Sequence, residues 1–126
     1  GSRYVPGGQD SNRSFKRTFL SKFANFYLRH LFGIKVQDCT SGFRGYRRSV
    51  LEKIQLNTLN TPGPALLADI LFRASLLNLK IGEIPIVFTD RRAGHSQFNF
   101  QKIAEGFLHP LRLKFNQRKI KNLLTS

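Results

Sequence analysis

The spacing of apolar residues predicts a chain rich in helices. Between residues 13 and 31, aromatic and aliphatic side chains recur every three or four positions, which is the period of an amphipathic helix. Gly33 is expected to end this helix, and Ser11 or Asn12 is expected to cap its start. The phenylalanines of the repeat are expected to face the core, so that bulky rings fill it.

The rest of the chain is predicted to combine helices with isolated strands. Helices are expected over 48–54, 64–78 and 99–124, the last with a break near Pro110, and strands over 34–36 and 80–90. Residues 1–12 and 38–45 have the composition of loops. Because an isolated strand leaves its backbone groups unpaired, we expect the strands to join a sheet whose other members lie outside this chain.

Charge narrows the classes of partner. The chain has 21 Lys and Arg against 7 Asp and Glu, a net charge of +14, which favours nucleic acid, a lipid headgroup surface or a phosphorylated small molecule. Cys39 is the only cysteine, so an intrachain disulfide and a cysteine-based zinc site are excluded. The apolar runs are shorter than the roughly 20 residues that cross a bilayer.

Two stretches near the start are candidates for binding phosphate. Arg3 precedes a glycine-rich loop, where small residues allow close approach of an anion. Arg17 and Ser21 are four residues apart on the predicted helix and therefore share its polar face. The alternatives are an ordinary turn around Arg3 and a solvated helix face at Arg17 and Ser21.

The stretch "DCTSGFRGYRR" places Asp38 close to Ser41 and Arg44. A carboxylate among arginines is either ion-paired and structural, with a lowered pKa, or positioned to orient or deprotonate a substrate hydroxyl. In "DRRAGHSQF", Arg91 and Ser96 lie in a predicted loop that is able to close over a diphosphate. A basic surface loop is the alternative there.

Taken in order, "GSRYVPGG", the helix with Arg17 and Ser21, "DCTSGFRGYRR" and "IGEIPIVFTDRRAGHSQF" resemble the family-2 glycosyltransferases. The nearest branch is that of the polyprenol-phosphate, or dolichol-phosphate, mannosyltransferases, and the likeness runs from Gly1 to about Phe98. It implies an α/β fold of the GT-A, Rossmann-like type. Residues 1–98 would be the C-terminal half of the catalytic domain, helix-rich with an incomplete sheet, and 99–126 a basic amphipathic helical segment.

The resemblance also implies the substrates and the roles of residues. A nucleotide sugar would donate a hexose, mannose or glucose, to a polyprenyl phosphate at a membrane surface. The acceptor phosphate would be held by Arg3, Arg17 and Ser21. The donor diphosphate would be held by Arg91 and Ser96, and Asp38 would be the catalytic residue in the floor of the site. Further candidates for the active site are Ser41, Arg44 and Gln97, which stands where the family usually has Lys.

The metal-binding D-x-D motif of that family does not occur in the sequence. The Mg²⁺ or Mn²⁺ expected for the complete enzyme would then be bound outside this chain, which we expect to be inactive alone and peripheral to the cytoplasmic face of a membrane. The missing N-terminal half or a full-length enzyme is an expected partner. Two alternatives stay open: a noncatalytic basic module for nucleic acid or membranes, and a noncatalytic partner of a full-length transferase.

Overall fold

A computed structural model describes residues 1–11, 13–89 and 99–126. The helices are α1 (Phe15–Phe32), α2 (Arg48–Lys53), α3 (Ala65–Leu76), α4 (Phe100–Phe115) and α5 (Gln117–Thr125), with a 3-10 turn at Leu56–Thr58. The strands are β1 (Gln9–Ser11) and β2 (Val87–Thr89). The helices predicted over 13–31, 48–54 and 64–78 are therefore confirmed to within a few residues.

The ends of α1 follow from local chemistry. The Ser14 hydroxyl accepts a hydrogen bond from the Arg17 backbone N–H, so Ser14 is the N-cap. The prediction of Ser11 or Asn12 was wrong because the helix begins at Phe15, two residues later than expected. Asn12 itself lies outside the described residues. Gly33 ends the helix as predicted, with a positive φ of 67° that glycine adopts without strain.

The sheet differs from the predicted one. Strand β1 lies in the segment predicted as loop and pairs in parallel with β2, with Gln9 opposite Val87, and Ser2 bridges Pro85 upstream. Strand β2 thus has one neighbour inside the chain, and the expectation that further members of the sheet lie outside it stays a prediction. Residues 34–36 form no strand. The segment that follows them is instead held by the Glu83 carboxylate, which accepts the N–H groups of Gln37 and Asp38.

The core lies between α1, α3 and α4. Its buried side chains include Leu28 and Phe32 from α1, Phe72 from α3 and Leu113 from α4. The rings of Phe32 and Phe72 are 4.8 Å apart, centroid to centroid. Helix α3 is buried along seven consecutive residues, 68–74, which confirms the prediction of a buried helix.

The phenylalanine repeat of α1 does not face this core. Phe15, Phe19, Phe23 and Phe26 are exposed, while Asn25, Leu28 and Phe32 are the buried residues of the helix. The prediction that these rings fill the core was wrong. The side-chain amide of Asn25 lies on the inward face of the helix, where it donates to Thr40 Oγ1 at 3.4 Å and accepts the Cys39 N–H.

Helix α4 continues through Pro110, and the break expected there lies at Asn116 instead. Proline removes one backbone donor, and the carbonyl four residues earlier belongs to Gly106. The Pro110 ring is fully buried, so packing stabilises a helix that proline alone would disfavour.

Candidate functional site

A buried ion pair joins the start of the chain to the loop after α1. The Arg3 guanidinium donates to both carboxylate oxygens of Asp38, from Nε to Oδ2 at 2.7 Å and from Nη2 to Oδ1 at 2.8 Å. Both side chains are buried. Two parallel bonds to one carboxylate fix the orientation of the guanidinium as well as its position.

Asp38 accepts more hydrogen bonds than those of the guanidinium. The backbone N–H groups of Arg3 and Ser41 donate to it at 3.0 and 3.1 Å, and the Thr40 hydroxyl at 3.2 Å. Burial by itself raises the pKa of Asp38, but the hydrogen bonds and charge of Arg3 outweigh it and hold the pKa below its ordinary value. The hydrogen bond to Asp38 likewise raises the pKa of Arg3. The geometry supports the ion-paired interpretation of Asp38.

Acid is expected to weaken the fold through this carboxyl group. Because the pKa of Asp38 is lower in the folded chain, the unfolded chain takes up the proton first as the pH falls below 3.8. The stability that Asp38 contributes is thus present above pH 3.8 and lost at lower pH. In urea titrations at pH 6, 4 and 3, Asp38→Asn should reduce the dependence of the free energy of unfolding on pH. Equal slopes for Asp38→Asn and the unmodified chain would contradict the assignment.

Three hydroxyl groups surround the Arg3 guanidinium. Its Nη2 donates to Thr40 Oγ1 at 2.8 Å and to Ser21 Oγ at 3.3 Å, and the Tyr4 hydroxyl donates to Ser21 Oγ at 2.9 Å. We call Arg3, Tyr4, Ser21, Asp38 and Thr40 the Arg3 cluster. The structure therefore brings together three residues singled out in the sequence, Arg3, Ser21 and Asp38. Arg17 is half-buried one turn before Ser21 on α1.

Two supporting residues escaped the sequence analysis. Asn25 donates to the Ser21 carbonyl at 2.9 Å and accepts the Cys39 N–H, which ties α1 to the loop that carries Asp38. Glu83 accepts the N–H groups of Gln37 and Asp38 at 2.8 and 2.9 Å. The sequence offered no signal for Asn25, which lies one turn after Ser21 on the face predicted to be polar. The sequence gives no signal for the role of Glu83, because its hydrogen-bond partners are more than forty residues away in the chain.

Arg44 holds the same loop against α3. Its side chain donates to the carbonyl groups of Ser41 at 2.8 Å, Leu67 at 2.9 Å and Cys39. Ser41 is buried, and its N–H donates to Asp38. Arg44 and Ser41 thus position Asp38 in this structure. Burial raises the pKa of the neighbouring Cys39 thiol to about 12, so the thiol is protonated at neutral pH.

A cleft of about 490 Å³ opens beside the ion pair. Asp38 and Arg44 line it together with Arg47, Lys80 and Glu83, and Gly1 lies at its edge. Arginine and lysine outnumber acids on these walls, so the cleft suits an anionic group.

Two curated bacterial proteins match most of the sequence. The polyprenol monophosphomannose synthase of Mycolicibacterium smegmatis is 44% identical over 105 residues, 83% of this chain and 40% of that protein. The chain is homologous to polyprenol-phosphate mannosyltransferases. The undecaprenyl-phosphate mannosyltransferase of Micrococcus luteus, 33% identical over 112 residues, matches 89% of this chain and 46% of that protein. The resemblance drawn from the motifs is confirmed, and the chain spans less than half the length of either relative.

Other comparisons add no further likeness: no family model and no solved structure matches the chain. The helix-rich architecture with a parallel pair of strands is consistent with an α/β transferase domain.

The predicted donor-side residues lie outside the described part of the structure. Arg91, Ser96 and Gln97 fall in 90–98, which the structure does not describe. Within the described ranges, no three His, Cys, Asp or Glu side chains form a group able to hold a metal ion. None of the helices found there is long and apolar enough to cross a membrane.

A second buried ion pair lies within α3, between residues one turn apart, and Arg73 also reaches the 3-10 turn. Arg73 Nε is 3.2 Å from Asp69 Oδ1, and Arg73 also donates to the Ile54 carbonyl at 2.9 Å and to Thr58 Oγ1 at 2.6 Å. The Thr61 hydroxyl donates to Asp69 at 2.9 Å. These bonds link the start of α3 to the turn that precedes it, so Asp69 and Arg73 stabilise the fold next to the candidate site.

Proposed function

We propose that this chain is part of an enzyme that transfers mannose from a nucleotide sugar to a polyprenyl phosphate. The observation that carries the proposal is 44% identity over 105 residues to a polyprenol monophosphomannose synthase. A second relative, which is named as an undecaprenyl-phosphate mannosyltransferase, supports the same sugar and the same class of acceptor.

In this proposal the acceptor phosphate binds beside the Arg3 cluster. Ser21 and Arg17 lie one turn apart on α1, so a hydroxyl donor and a cation are presented together. Arg3 is already oriented by Asp38, which means that no side-chain entropy is lost when it meets the phosphate. Because Arg3 stabilises the anionic form of Asp38, this carboxylate is a poor general base. Its role in the proposal is to orient the reacting groups.

Binding of the nucleotide sugar is assigned to the rest of the enzyme and to residues 90–98 of this chain. Arg91, Ser96 and Gln97 are proposed to contact the donor diphosphate. The described residues do not fit a divalent cation, since no three His, Cys, Asp or Glu side chains among them form a group able to hold one. We therefore assign the Mg²⁺ or Mn²⁺ of the complete enzyme to acids elsewhere in a GT-A domain. That cation would neutralise the diphosphate.

The proposal includes a larger catalytic domain. The chain spans 40% and 46% of the two relatives described above, and the described sheet has only two strands, fewer than an independently stable sheet usually needs. We propose that the chain supplies the acceptor side, works at the cytoplasmic face of a membrane as a peripheral protein, and transfers no mannose by itself.

A chimera tests the function. The 105 matching residues of the Mycolicibacterium smegmatis synthase are replaced by those of this chain, and transfer from GDP-mannose to detergent-dispersed polyprenyl phosphate is measured. We expect the chimera to transfer mannose and the isolated chain to transfer none. Arg17→Ala in the chimera should raise the KM for polyprenyl phosphate about tenfold, because one charge-assisted interaction is lost. Lys53→Ala, an exposed cation on α2, should leave it unchanged.

The outcomes separate the alternatives. A chimera that folds but transfers no mannose would contradict the catalytic proposal. If the isolated chain co-purifies with the complete synthase and the chimera is inactive, the noncatalytic partner is favoured. Turnover by the isolated chain would show that the division between acceptor side and donor side is wrong.

A further inference from the structure

Helix α1 carries a row of exposed aromatic side chains. Phe15, Phe19, Phe23 and Phe26 are 85%, 65%, 49% and 57% exposed. At about 100° per residue they occupy an arc of roughly 80°, centred roughly 140° from the buried face of the helix. Their hydrophobic area is therefore directed away from the core. A row of this kind is unusual on a soluble monomer and marks an interaction site.

Helix α4 continues this row. The Phe23 ring lies 5.6 Å from the ring of Phe107, which also meets Tyr27 at 5.2 Å. Phe100 and Phe115 fall on the same side of α4 as Phe107, within an arc of roughly 80°. Both are more than four-fifths exposed. We call the exposed rings of residues 15, 19, 23, 26, 100 and 115 the aromatic surface.

Positive charge borders the aromatic surface. Lys16 and Lys22 lie at the two margins of the α1 row, each roughly 20° outside it, and both are exposed. Helix α1 contains no Asp or Glu, and α4 and α5 together contain only Glu105. An apolar strip with cations along its margins matches the interface of an anionic bilayer, where rings enter the acyl boundary and ammonium groups meet lipid phosphates.

We propose that the aromatic surface docks onto an anionic phospholipid bilayer. The inference rests on the proposed function for its meaning, because it places the acceptor-binding residues at the membrane. Arg17 and Ser21 lie on the side of α1 away from the aromatic surface. Once docked, α1 would separate the bilayer from the Arg3 cluster by one helix diameter, about 10 Å. A polyprenyl phosphate would then reach the cluster by passing along the side of α1.

Vesicle flotation tests the docking. The 126-residue chain is mixed with vesicles of phosphatidylcholine containing 30% phosphatidylglycerol and no polyprenyl phosphate. We expect the chain to float with them and to stay behind with pure phosphatidylcholine. The double variant Phe15→Ser/Phe19→Ser should weaken binding at least about tenfold, since two ring insertions are lost. Lys16→Glu/Lys22→Glu should weaken it as well.

A matched control removes an equally exposed ring from elsewhere. Phe43 is 67% exposed, lies in the loop that carries Asp38, and is outside the aromatic surface. Phe43→Ser should float as the unmodified chain does. Far-UV circular dichroism should show the same helix content for every variant, because the replaced side chains are exposed.

Three results would overturn the docking proposal. The first is equal flotation of the Phe15→Ser/Phe19→Ser variant. The second is absence of flotation by the unmodified chain together with a dimer that this double variant dissociates, which would assign the surface to a second copy. The third is a chimera that transfers mannose but does not float with the vesicles. That result would show that the aromatic surface contacts the rest of the enzyme and not a bilayer. Because the transfer assay uses detergent-dispersed acceptor, failure of docking leaves the proposed function standing.

Discussion

Replacing Asp38 by alanine should lower the free energy of unfolding by about 3–5 kcal/mol. The change leaves the buried Arg3 guanidinium without the carboxylate that receives two of its hydrogen bonds, at 2.7 and 2.8 Å. It also removes the acceptor for the Ser41 N–H. Asp10, whose Oδ2 lies 3.8 Å from Arg3 Nη1, compensates the buried cation only in part. A buried cation that loses its hydrogen-bonded partner costs more than the pair contributed, which is why the expected loss is large. Urea titration followed by far-UV circular dichroism measures it.

An exposed pair of similar length provides the control. Arg48 Nε lies 2.9 Å from Glu52 Oε1, but the two side chains are 93% and 64% exposed. Water screens this pair, so Arg48→Ala should change the free energy of unfolding by no more than about 0.5 kcal/mol. If Asp38→Ala lowers the free energy of unfolding no more than Arg48→Ala does, burial does not make the Arg3–Asp38 pair important for stability.

Removing the guanidinium of Arg73 should have a comparable effect, a loss of about 3–5 kcal/mol for Arg73→Ala. Buried Asp69 would lose the Arg73 cation and keep the Thr61 hydroxyl and His109, whose Nε2 lies 3.7 Å from Oδ2. The Ile54 carbonyl and the Thr58 hydroxyl would lose their donor. Thermal and urea unfolding measure the loss.

Two further variants separate charge from geometry. Arg73→Lys should recover only part of the stability, because one ammonium group lacks the planar fork that reaches Asp69, Ile54 and Thr58 together. Arg112→Ala removes the same side chain from an exposed position of α4 and should be nearly neutral. Full recovery by lysine would show that charge alone, and not the fork, is required.

Local chemistry accounts for what was predicted correctly. Period and breakers located α1 and α3, since a helix of three or more turns leaves a repeat in the sequence and glycine or proline marks its ends. The shorter helix α2 was also predicted at its observed position. The order of short motifs predicted homology to the polyprenol-phosphate mannosyltransferases, and sequence identity to two relatives confirmed it. The roles of Arg17, Arg91 and Ser96 stay predictions.

Non-local contacts account for what was missed. Strand β1 has three residues, Gln9–Ser11, and no apolar alternation, so it exists only because β2 lies beside it. Pro110 has the chemistry of a helix break, yet packing keeps α4 continuous up to Phe115. The Glu83 carboxylate contacts the site by accepting hydrogen bonds from backbone N–H groups that are more than forty residues away in the chain.

The sequence by itself determined the positions of most helices, the basic character of the surface and the family to which the chain is similar, because each of these depends on residues that are near one another or on their order. Only the tertiary structure decided that Arg3 meets Asp38, 35 residues away, and that Asn25 rather than the phenylalanines faces inward. A helical repeat shows that a helix has two unlike faces. Which face is buried depends on the partners available: on the inward face of α1, Leu28 and Phe32 pack in the core and Asn25 hydrogen-bonds to the loop that carries Asp38.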